Sequence, residues 1–403
     1  MKIDSCPISG SIKRVEFLNL GTVPLVNNFC DTKKESLACQ RFPLAIQFFH
    51  ESRLICLTDV VNKDDMFLNY LYKSGVNKPY LDHCAKMYDY LSRHVNFKDK
   101  DLVVDIGGND GSLLMEFRKE NCNLHYVNVD CSKSFIDINK ENGIEYLNIY
   151  FDSQTRLPYK AKLITSTNVF QHTVDIRSFV RGVERNLSNE GVWCLEFPYI
   201  LTTLANDNYD QIYHEHVYYY CLKNIVDLLA QEGLRVVNVS YHDMHAGTLR
   251  VLSVKESSYR YPDSTILSFL NLEKTITEEY CVKWGKRTHE KIETFRKFIY
   301  DLLAINKTIV CFGAAAKGCV FLNSCGINDD MIPFIIDDTP FKQGKFVPGT
   351  GIEVISRESL KAFQPDYILI LAHNFKDYII DSLKGQYSGK FIVMFPNISV
   401  IGK

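Results

Sequence analysis

The stretch YHEHVYYY, residues 213–220, carries side chains that could move a proton. It places two imidazoles, one carboxylate and four phenols close together, and each of these groups has a polar tip that needs a partner or water. Imidazole titrates near neutral pH and suits a general base, whereas a phenol can donate a hydrogen bond to a developing oxygen anion. The stretch is therefore the first candidate for a site of acid–base chemistry.

A glycine-rich turn follows an apolar run in the sequence DLVVDIGGNDGSLLMEF. Its candidate binding residues are, in order, Asp105, Gly107, Asn109 and Gly111. The turn lacks the G-x-G-x-x-G pattern of dinucleotide sites, because Asn109 replaces the second glycine. The acid that opens it suits the amino group of a methionine moiety better than a pyrophosphate, which it would repel. Asp130 ends the next apolar run and could accept hydrogen bonds from both ribose hydroxyls, so we predict S-adenosylmethionine as the cofactor. The alternative is that the turn and its acids only shape a sheet edge.

A second turn of this kind occurs in KTIVCFGAAAKGCVFLNSCG, near the carboxyl end. Lys317 begins its helix, where backbone amides and an ammonium group could hold a diphosphate. Asp337 follows about one strand and one helix later, at the position that would hold a ribose in a dinucleotide-binding fold. Taken alone, this half could bind NAD. A non-catalytic or oxidoreductase-like nucleotide-binding protein is therefore an alternative, although neither half has a complete G-x-G-x-x-G.

Two α/β units are needed to position these turns. Apolar runs separated by helix-length segments follow the first turn in LHYVNVD, KLITSTNVF and VWCLEFP, and the second in MIPFIIDD, YILILA and KFIVMFP. This alternation is typical of doubly wound parallel sheets. We predict an α/β fold with two Rossmann-like doubly wound domains after a small, mostly β N-terminal domain. The predicted ranges are 1–60 for the N-terminal domain, 61–263 for the first α/β domain with its leading helices, 264–305 for a linking helix and 306–403 for the second α/β domain.

Composition narrows the class of protein. The chain has 403 residues and a formal charge of -2, which argues against bulk nucleic-acid or membrane binding. Its amino terminus has no apolar core typical of a signal peptide, and no segment is long and apolar enough to span a bilayer. Thirteen irregularly spaced cysteines fit a reducing compartment. These features predict a cytoplasmic enzyme.

Seven motifs in this order resemble the sugar C-methyltransferases that act on nucleotide-linked 4-keto-6-deoxy sugars. They are VVDIGGNDGSLL, NVFQHTVD, YHEHVYYYCL, HAGTLRV, GAAAKG, IDDTPFKQGKFVPGTGI and LAHNF. The resemblance covers nearly the whole chain. It implies an amino-terminal zinc-binding region, a central methyltransferase domain and a Rossmann-like carboxy-terminal domain, with the active site between the last two. It also implies proton removal next to the ketone and methyl transfer to carbon three or carbon five, which both flank that ketone. Methyl transfer to oxygen or nitrogen of another small molecule is the third hypothesis.

The resemblance assigns roles to individual residues. It implies that His216 is the base, with Glu215 and Tyr213 beside it, and that His172, just past a strand end, is a second candidate. Tyr72 resembles a tyrosine that reaches over the site, although Tyr70 could hold that role. The remaining assignments are Asn168 for the cofactor and Lys317, Lys342, Gln343 and Asn374 for the nucleotide-linked substrate. A histidine or tyrosine taken alone is more often a packing residue, and at least one of Tyr218, Tyr219 and Tyr220 should be.

The family's zinc site needs two C-x-x-C pairs, which this sequence lacks. Cys6 is kept, but Ser9, Phe49 and Ser52 stand at the other ligand positions. We therefore expect no structural zinc of the family type. A different metal site could in principle use His50, Cys30, Cys39 and Cys56.

Overall fold

The computed structural model describes residues 1–67, 74–76, 78–244 and 247–402. Three β-sheets organise these residues, with four, seven and six strands. The two larger sheets are mostly parallel and carry helices, whereas the smallest is antiparallel. The predicted α/β fold class, with two Rossmann-like sheets after a mostly β region, is confirmed. No helix within the described ranges is both long enough and apolar enough to cross a bilayer.

The first sheet contains a strand from far along the chain. Its strands are β1 (Arg14–Pro24), β2 (Arg41–Phe49), β3 (Ile55–Leu57) and β9 (Tyr218–Tyr219), with α1 (Lys33–Ala38) between β1 and β2. The capping box of Thr32 and Glu35 starts α1. Strand β9 pairs antiparallel with β3. It follows the turn formed by residues 213–216, the YHEH turn, after one intervening residue. The small sheet therefore holds one end of the candidate base turn.

The second sheet has its topological switch point beside β4. Its strands lie in the order β10-β11-β8-β7-β4-β5-β6. They are β4 (Leu102–Ile106), β5 (His125–Val129), β6 (Glu145–Leu147), β7 (Ala161–Thr167), β8 (Leu187–Pro198), β10 (Leu234–His242) and β11 (Thr248–Lys255). The helices in and before it are α2 (Asp64–Phe67), α3 (Lys78–His94), α4 (Ser112–Glu120), α5 (Ile136–Glu141), α6 (Ile176–Asn186), α7 (Ile200–Ala205) and α8 (Leu222–Gln231). The chain builds β5 and β6 on one side of β4 and then places β7 on the other, which opens a crevice at their carboxyl ends.

Two helices connect the second sheet to the third, where one long helix was expected. They are α9 (Thr265–Leu272) and α10 (Glu278–Ala304), joined by a 3₁₀ turn at Glu273–Thr275. The buried Glu273 carboxylate accepts hydrogen bonds from backbone N–H groups at the start of α8, which fixes this turn. Gly285 lies where α10 crosses β1, and a Cβ there would meet the Phe17 carbonyl oxygen at 1.7 Å. Only glycine allows this approach.

The third sheet has the order β14-β13-β12-β15-β16-β17 and is parallel except for its last strand. Its strands are β12 (Ile309–Phe312), β13 (Phe334–Ile336), β14 (Glu353–Ile355), β15 (Tyr367–Ile370), β16 (Lys390–Val393) and β17 (Ser399–Ile401). Its α-helices are α11 (Ala316–Ser324) and α12 (Lys376–Ser382). Strand β12 and the start of α11 flank the second glycine turn, as the sequence pattern predicts.

Candidate active site

A cavity of about 650 Å³ lies at the carboxyl ends of β4, β5 and β7. Five predicted site residues line it: Gly107, Asn109, Asp130, Asn168 and His172. The cavity occupies the crevice beside the switch point, where open α/β sheets bind ligands. The structure thus brings four candidate cofactor residues together with one candidate base.

The glycine turn after β4 has a backbone that its sequence explains. Gly107 has φ +72°, and a Cβ there would meet the Val169 side chain at 2.6 Å. Gly111 has φ +79° immediately before α4, where a Cβ would meet the Asn139 amide oxygen at 2.5 Å. Positive φ and close neighbours both favour glycine. The turn can therefore present its backbone to the cavity.

Asp130 is joined to this turn at the cavity wall. Its carboxylate accepts hydrogen bonds from the N–H of Asn109 at 3.0 Å and from the N–H of Ser132 at 2.8 Å. Burial raises the pKa of Asp130, and the two backbone donors oppose that rise. Each oxygen keeps acceptor capacity, so the carboxylate can also take hydroxyl donors from a ligand.

Replacing Asp130 with alanine should weaken binding of S-adenosylmethionine by roughly 1.5–3 kcal/mol, as expected for lost charge-assisted hydrogen bonds. Calorimetric titration of the folded variant measures this loss. Asp137→Ala is the matched control, because Asp137 is an exposed acid in the first turn of α5. Equal affinities of the two variants would mean that Asp130 supports only the turn.

Asp105 lies beneath the glycine turn and is almost fully buried. One carboxylate oxygen accepts a hydrogen bond from the Thr165 hydroxyl at 2.7 Å. The other has no hydrogen-bond partner among the described residues, and a Cβ on Gly108 would lie 2.8 Å from it. Burial raises the pKa of Asp105 to about 7. A hydrogen bond to the methionine amino group therefore remains a prediction that would require access past Gly108.

The YHEH turn pairs a phenol with an imidazole. The Tyr213 hydroxyl and His216 Nε2 are 2.8 Å apart, and the ring centroids are 4.1 Å apart. The backbone N–H of His216 also donates to the Tyr213 carbonyl at 3.0 Å. His216 is 5% exposed, so this hydrogen bond is shielded from water. The two predicted site residues form one phenol–imidazole pair, which we call the Tyr213–His216 pair.

His172 lies next to this pair and connects it to the cavity. Its ring centroid is 5.1 Å from that of His216. His172 Nδ1 lies 2.6 Å from the Glu215 carbonyl oxygen, which can only accept, so Nδ1 carries the hydrogen. Burial lowers the pKa of His172 to about 4. The ring is therefore neutral at pH 7, with Nε2 as its basic nitrogen.

The other two side chains of the YHEH turn contact the N-terminal part of the chain. Glu215 Oε1 accepts a hydrogen bond from Asn27 Nδ2 at 2.5 Å, and His214 Nε2 donates to the Pro43 carbonyl at 3.1 Å. The Glu215 carboxyl group thus bonds to Asn27, whereas Tyr213 bonds to the His216 ring. Sequence reasoning missed Asn27, because it lies 188 residues away from its partner.

The remaining tyrosines of the stretch are mainly packing residues. Tyr220 is fully buried and stacks on Phe170 with centroids 5.1 Å apart. Tyr218 and Tyr219 form β9. The predicted Tyr72, like its alternative Tyr70, lies outside the described residues.

Lys317 is the second residue of α11 and lies within the electrostatic influence of Asp210. Its ammonium nitrogen is buried, with no hydrogen-bond partner within the described ranges. Burial lowers the pKa of Lys317, and the charge of Asp210 opposes this. Asp210 accepts a hydrogen bond from His373 Nε2 at 3.0 Å, and its second oxygen is also unpartnered in the described structure. The sequence analysis did not select Asp210, which lies outside the seven motifs. It also did not select His373, although this residue is part of the motif LAHNF.

Other predicted substrate residues mainly stabilise the second glycine turn. Lys342 donates to the Ala314 carbonyl at 2.8 Å, and Gln343 donates to the Asp337 carbonyl at 3.0 Å. The Asp337 carboxylate accepts the Ala314 N–H at 2.8 Å, just as Asp130 accepts from the first turn. Asn374 is partly exposed in the 3₁₀ turn at His373–Phe375.

The N-terminal residues do not fit zinc. The Cys6 sulfur lies 3.1 Å from the Ser52 hydroxyl and accepts the Ser9 N–H at 3.4 Å, while Phe49 is fully buried. One thiol, two hydroxyls and a phenyl ring are not a zinc ligand set. Throughout the described ranges, no group of three or more His, Cys, Asp or Glu side chains is arranged to hold a metal ion.

Elemental analysis of the purified protein should find well under one zinc per chain, and a chelator should leave its melting temperature unchanged. The variant S9C/F49C/S52C restores four thiols at the family positions and should bind zinc. One zinc per wild-type chain would contradict the prediction.

Comparison with known proteins adds two family models and a full-length relative. A "Methyltransferase domain" model matches residues 80–239, and a "C-methyltransferase C-terminal domain" model matches residues 243–396. The chain is similar to C-methyltransferase NovU of Streptomyces niveus, with 29% identity over 409 residues that cover 99% of this chain and 97% of that protein.

Solved structures give more distant matches. Mitomycin 7-O-methyltransferase MmcR is 14% identical, with TM-score 0.35, over 45% of this chain and 55% of that chain. Magnesium protoporphyrin IX methyltransferase from Synechocystis PCC 6803 is 13% identical, with TM-score 0.35, over 44% of this chain and 83% of that chain.

Proposed function

We propose that this protein, an S-adenosylmethionine-dependent C-methyltransferase, methylates a ring carbon next to the ketone of a nucleotide-linked 4-keto-6-deoxy sugar. Methyl transfer itself follows from the two family models and the full-length relative. The sugar substrate is our inference. It is supported by the seven ordered motifs, whereas the name of that relative supports only transfer to carbon.

The observation that carries the proposal is the Tyr213–His216 pair, which lies beside His172, and His172 lines the 650 Å³ cavity. A sugar ring C–H is too weak an acid to lose its proton unless a carbonyl group is adjacent. An enzyme that methylates carbon therefore needs a base for the proton and a donor for the enolate oxygen. An imidazole paired with a phenol supplies both.

In the proposed reaction, the C–H bond next to the ketone breaks and its proton ends on His216. The electron pair of that bond enters the enolate, whose oxygen accepts a hydrogen bond. Because His216 Nε2 already faces the Tyr213 hydroxyl, the proton can reach the ring through that hydroxyl. His172, which is neutral at pH 7, lies beside the pair without adding charge, with its Nε2 3.4 Å from the Gln171 amide nitrogen. When bound, S-adenosylmethionine supplies an electrophilic methyl group for the enolate carbon.

For the nucleotide end of the substrate we propose the junction around Lys317. A buried ammonium group without a hydrogen-bond partner is costly, and an anionic diphosphate would offset that cost. The start of α11 adds backbone N–H groups. Asp210 has a carboxylate oxygen available for a hydroxyl donor of the same ligand, and Asn374, Lys342 and Gln343 are further candidates.

We also propose that the ranges 1–60, 61–263, 264–305 and 306–403 are functional units and that the reaction takes place in the cytoplasm.

Mass spectrometry tests the proposal with purified protein, S-adenosylmethionine and a panel of nucleotide-linked 4-keto-6-deoxy sugars. We expect at least one sugar to gain one methyl group, which NMR should locate on carbon three or carbon five. The matched sugars reduced to the 4-hydroxyl should not react, because they have no acidic C–H. A methyl group on oxygen or nitrogen, or transfer to the reduced sugars, would overturn the proposal.

A further inference from the structure

We propose that Asn27 is a positioning residue for the reaction, which holds the Glu215 carboxyl group and through it the turn that carries Tyr213 and His216. The role rests on the proposed function of the Tyr213–His216 pair. Asn27 follows β1, so the proposal makes the N-terminal part of the chain a working component of the site rather than a separate module.

The contact between Asn27 and Glu215 is short and partly buried. The Asn27 amide nitrogen lies 2.5 Å from Glu215 Oε1, and Glu215 is 5% exposed. In a protonated carboxyl group, the carbonyl oxygen is a stronger hydrogen-bond acceptor than the hydroxyl oxygen. Asn27 therefore keeps Oε1 as an acceptor in both protonation states, and any proton on the carboxyl group resides on Oε2.

Glu215 connects Asn27 to both imidazoles. Its carbonyl oxygen accepts the Nδ1–H of His172, and its backbone lies inside the tight turn closed by the His216 N–H and the Tyr213 carbonyl. A shift of Glu215 would therefore move both rings. On its far side the turn is fixed by Val217, whose N–H donates to the Gln171 carbonyl at 2.8 Å. On the near side, the His214 side chain bonds to the Pro43 carbonyl, and Asn27 is the residue that holds the Glu215 side chain.

Asn27 also influences the protonation of Glu215. Burial raises the pKa of Glu215 to about 7, and the hydrogen bond from Asn27 opposes this rise. The titratable groups on this turn and in contact with it are Tyr213, His214 and His216 themselves, His172 on the turn after β7 and Tyr219 on β9. No charged side chain contributes to this pKa within the described structure. Loss of the Asn27 donor should therefore raise the pKa of Glu215 further.

The test compares Asn27→Leu, which keeps the volume and removes the donor, with Asn28→Leu. Asn28 is the exposed neighbour and serves as the matched control. Asn27→Leu should lower kcat about 10- to 100-fold, the cost seen when partners that orient metal ligands are lost. KM for S-adenosylmethionine should stay unchanged, and the acidic limb of the pH–rate profile should move to higher pH. Asn27→Gln, which keeps an amide donor, should recover part of the rate, and Asn28→Leu should match wild type.

A second measurement needs no substrate. Carboxyl carbon NMR of the full chain labelled at glutamate, with the Glu215 signal identified by its loss in Glu215→Gln, gives the Glu215 titration directly. The midpoint of the Glu215 titration should shift to higher pH in Asn27→Leu and remain at the wild-type pH in Asn28→Leu. An unchanged titration, or an unchanged kcat despite a shifted titration, would overturn the role of Asn27. Failure of every sugar in the panel would overturn the proposed reaction, but the NMR result would still decide whether Asn27 holds Glu215.

Discussion

Replacing His216 with asparagine is expected to slow methyl transfer by roughly 10²–10⁴-fold, the usual contribution of a general base. Asparagine keeps a polar side chain of similar reach but cannot take the proton. The hydrogen bond between the Tyr213 hydroxyl and His216 Nε2 would be lost or weakened. Substrate affinity should change much less than the rate, because in the proposed mechanism the removed group acts on the reacting proton.

Deuterated water separates proton removal from methyl transfer. S-adenosylhomocysteine replaces the methyl donor in this experiment. The wild-type protein should then exchange with solvent the hydrogen next to the ketone of the proposed 4-keto sugar, and His216→Asn should not. Tyr213→Phe removes the phenol and keeps the ring, so it reports whether the proton passes through that hydroxyl. Exchange at the wild-type rate in His216→Asn would assign the base elsewhere, and His172 would then be the leading candidate.

Replacing Arg250 with methionine should reduce the free energy of unfolding by about 3–5 kcal/mol, the cost of leaving one partner of a buried ion pair uncompensated. Arg250 Nε lies 2.6 Å from Glu196 Oε1, and His83 Nε2 lies 2.8 Å from Glu196 Oε2. Arg250 and Glu196 are each 1% exposed. Urea denaturation measures the loss. The matched control is Lys78→Met, which removes an exposed ion pair with Asp82 and should cost under about 1 kcal/mol.

The Arg250–Glu196 ion pair also predicts how the free energy of unfolding changes with pH. Burial alone would raise the pKa of Glu196, but the hydrogen bond from His83 and the charge of Arg250 lower it from 4.5 to about 2. A carboxyl group with a depressed pKa in the folded state stabilises the protein above its unfolded pKa and loses that contribution as the pH falls. Wild-type stability should therefore fall between pH 4.5 and 2, and by less in Arg250→Met. Equal unfolding free energies of the two proteins at pH 7 would contradict this account.

The parts of the fold that the sequence predicts are those set by local patterns. A strand, a glycine turn and a helix start follow one another in the chain, so the turns at Gly107 and before Lys317 could be recognised without knowing their surroundings. The strand-end position of Asp130 follows from the same pattern. The residues of the YHEH turn could likewise be selected by type and spacing.

The remaining features depend on contacts between distant residues. Nothing near Asn27 in the sequence indicates that it reaches Glu215, since the two lie 188 residues apart and meet only in the folded chain. Asp210 meets His373 for a similar reason, because one follows α7 and the other follows β15. The break between α9 and α10 was missed because Glu273, with helical neighbours, gives no local sign of the α8 start that it caps.

The pairing of β9 with β3 has a consequence for synthesis of the chain on the ribosome. About 160 residues separate these strands, so at roughly 5–20 residues per second translation needs about 8–30 s to supply the partner of β3. During that time, backbone groups of β3 that β9 will later satisfy are open to other strands, including those of neighbouring nascent chains. A fragment that stops before Tyr218 should therefore aggregate, whereas one that extends through α8 should complete this sheet.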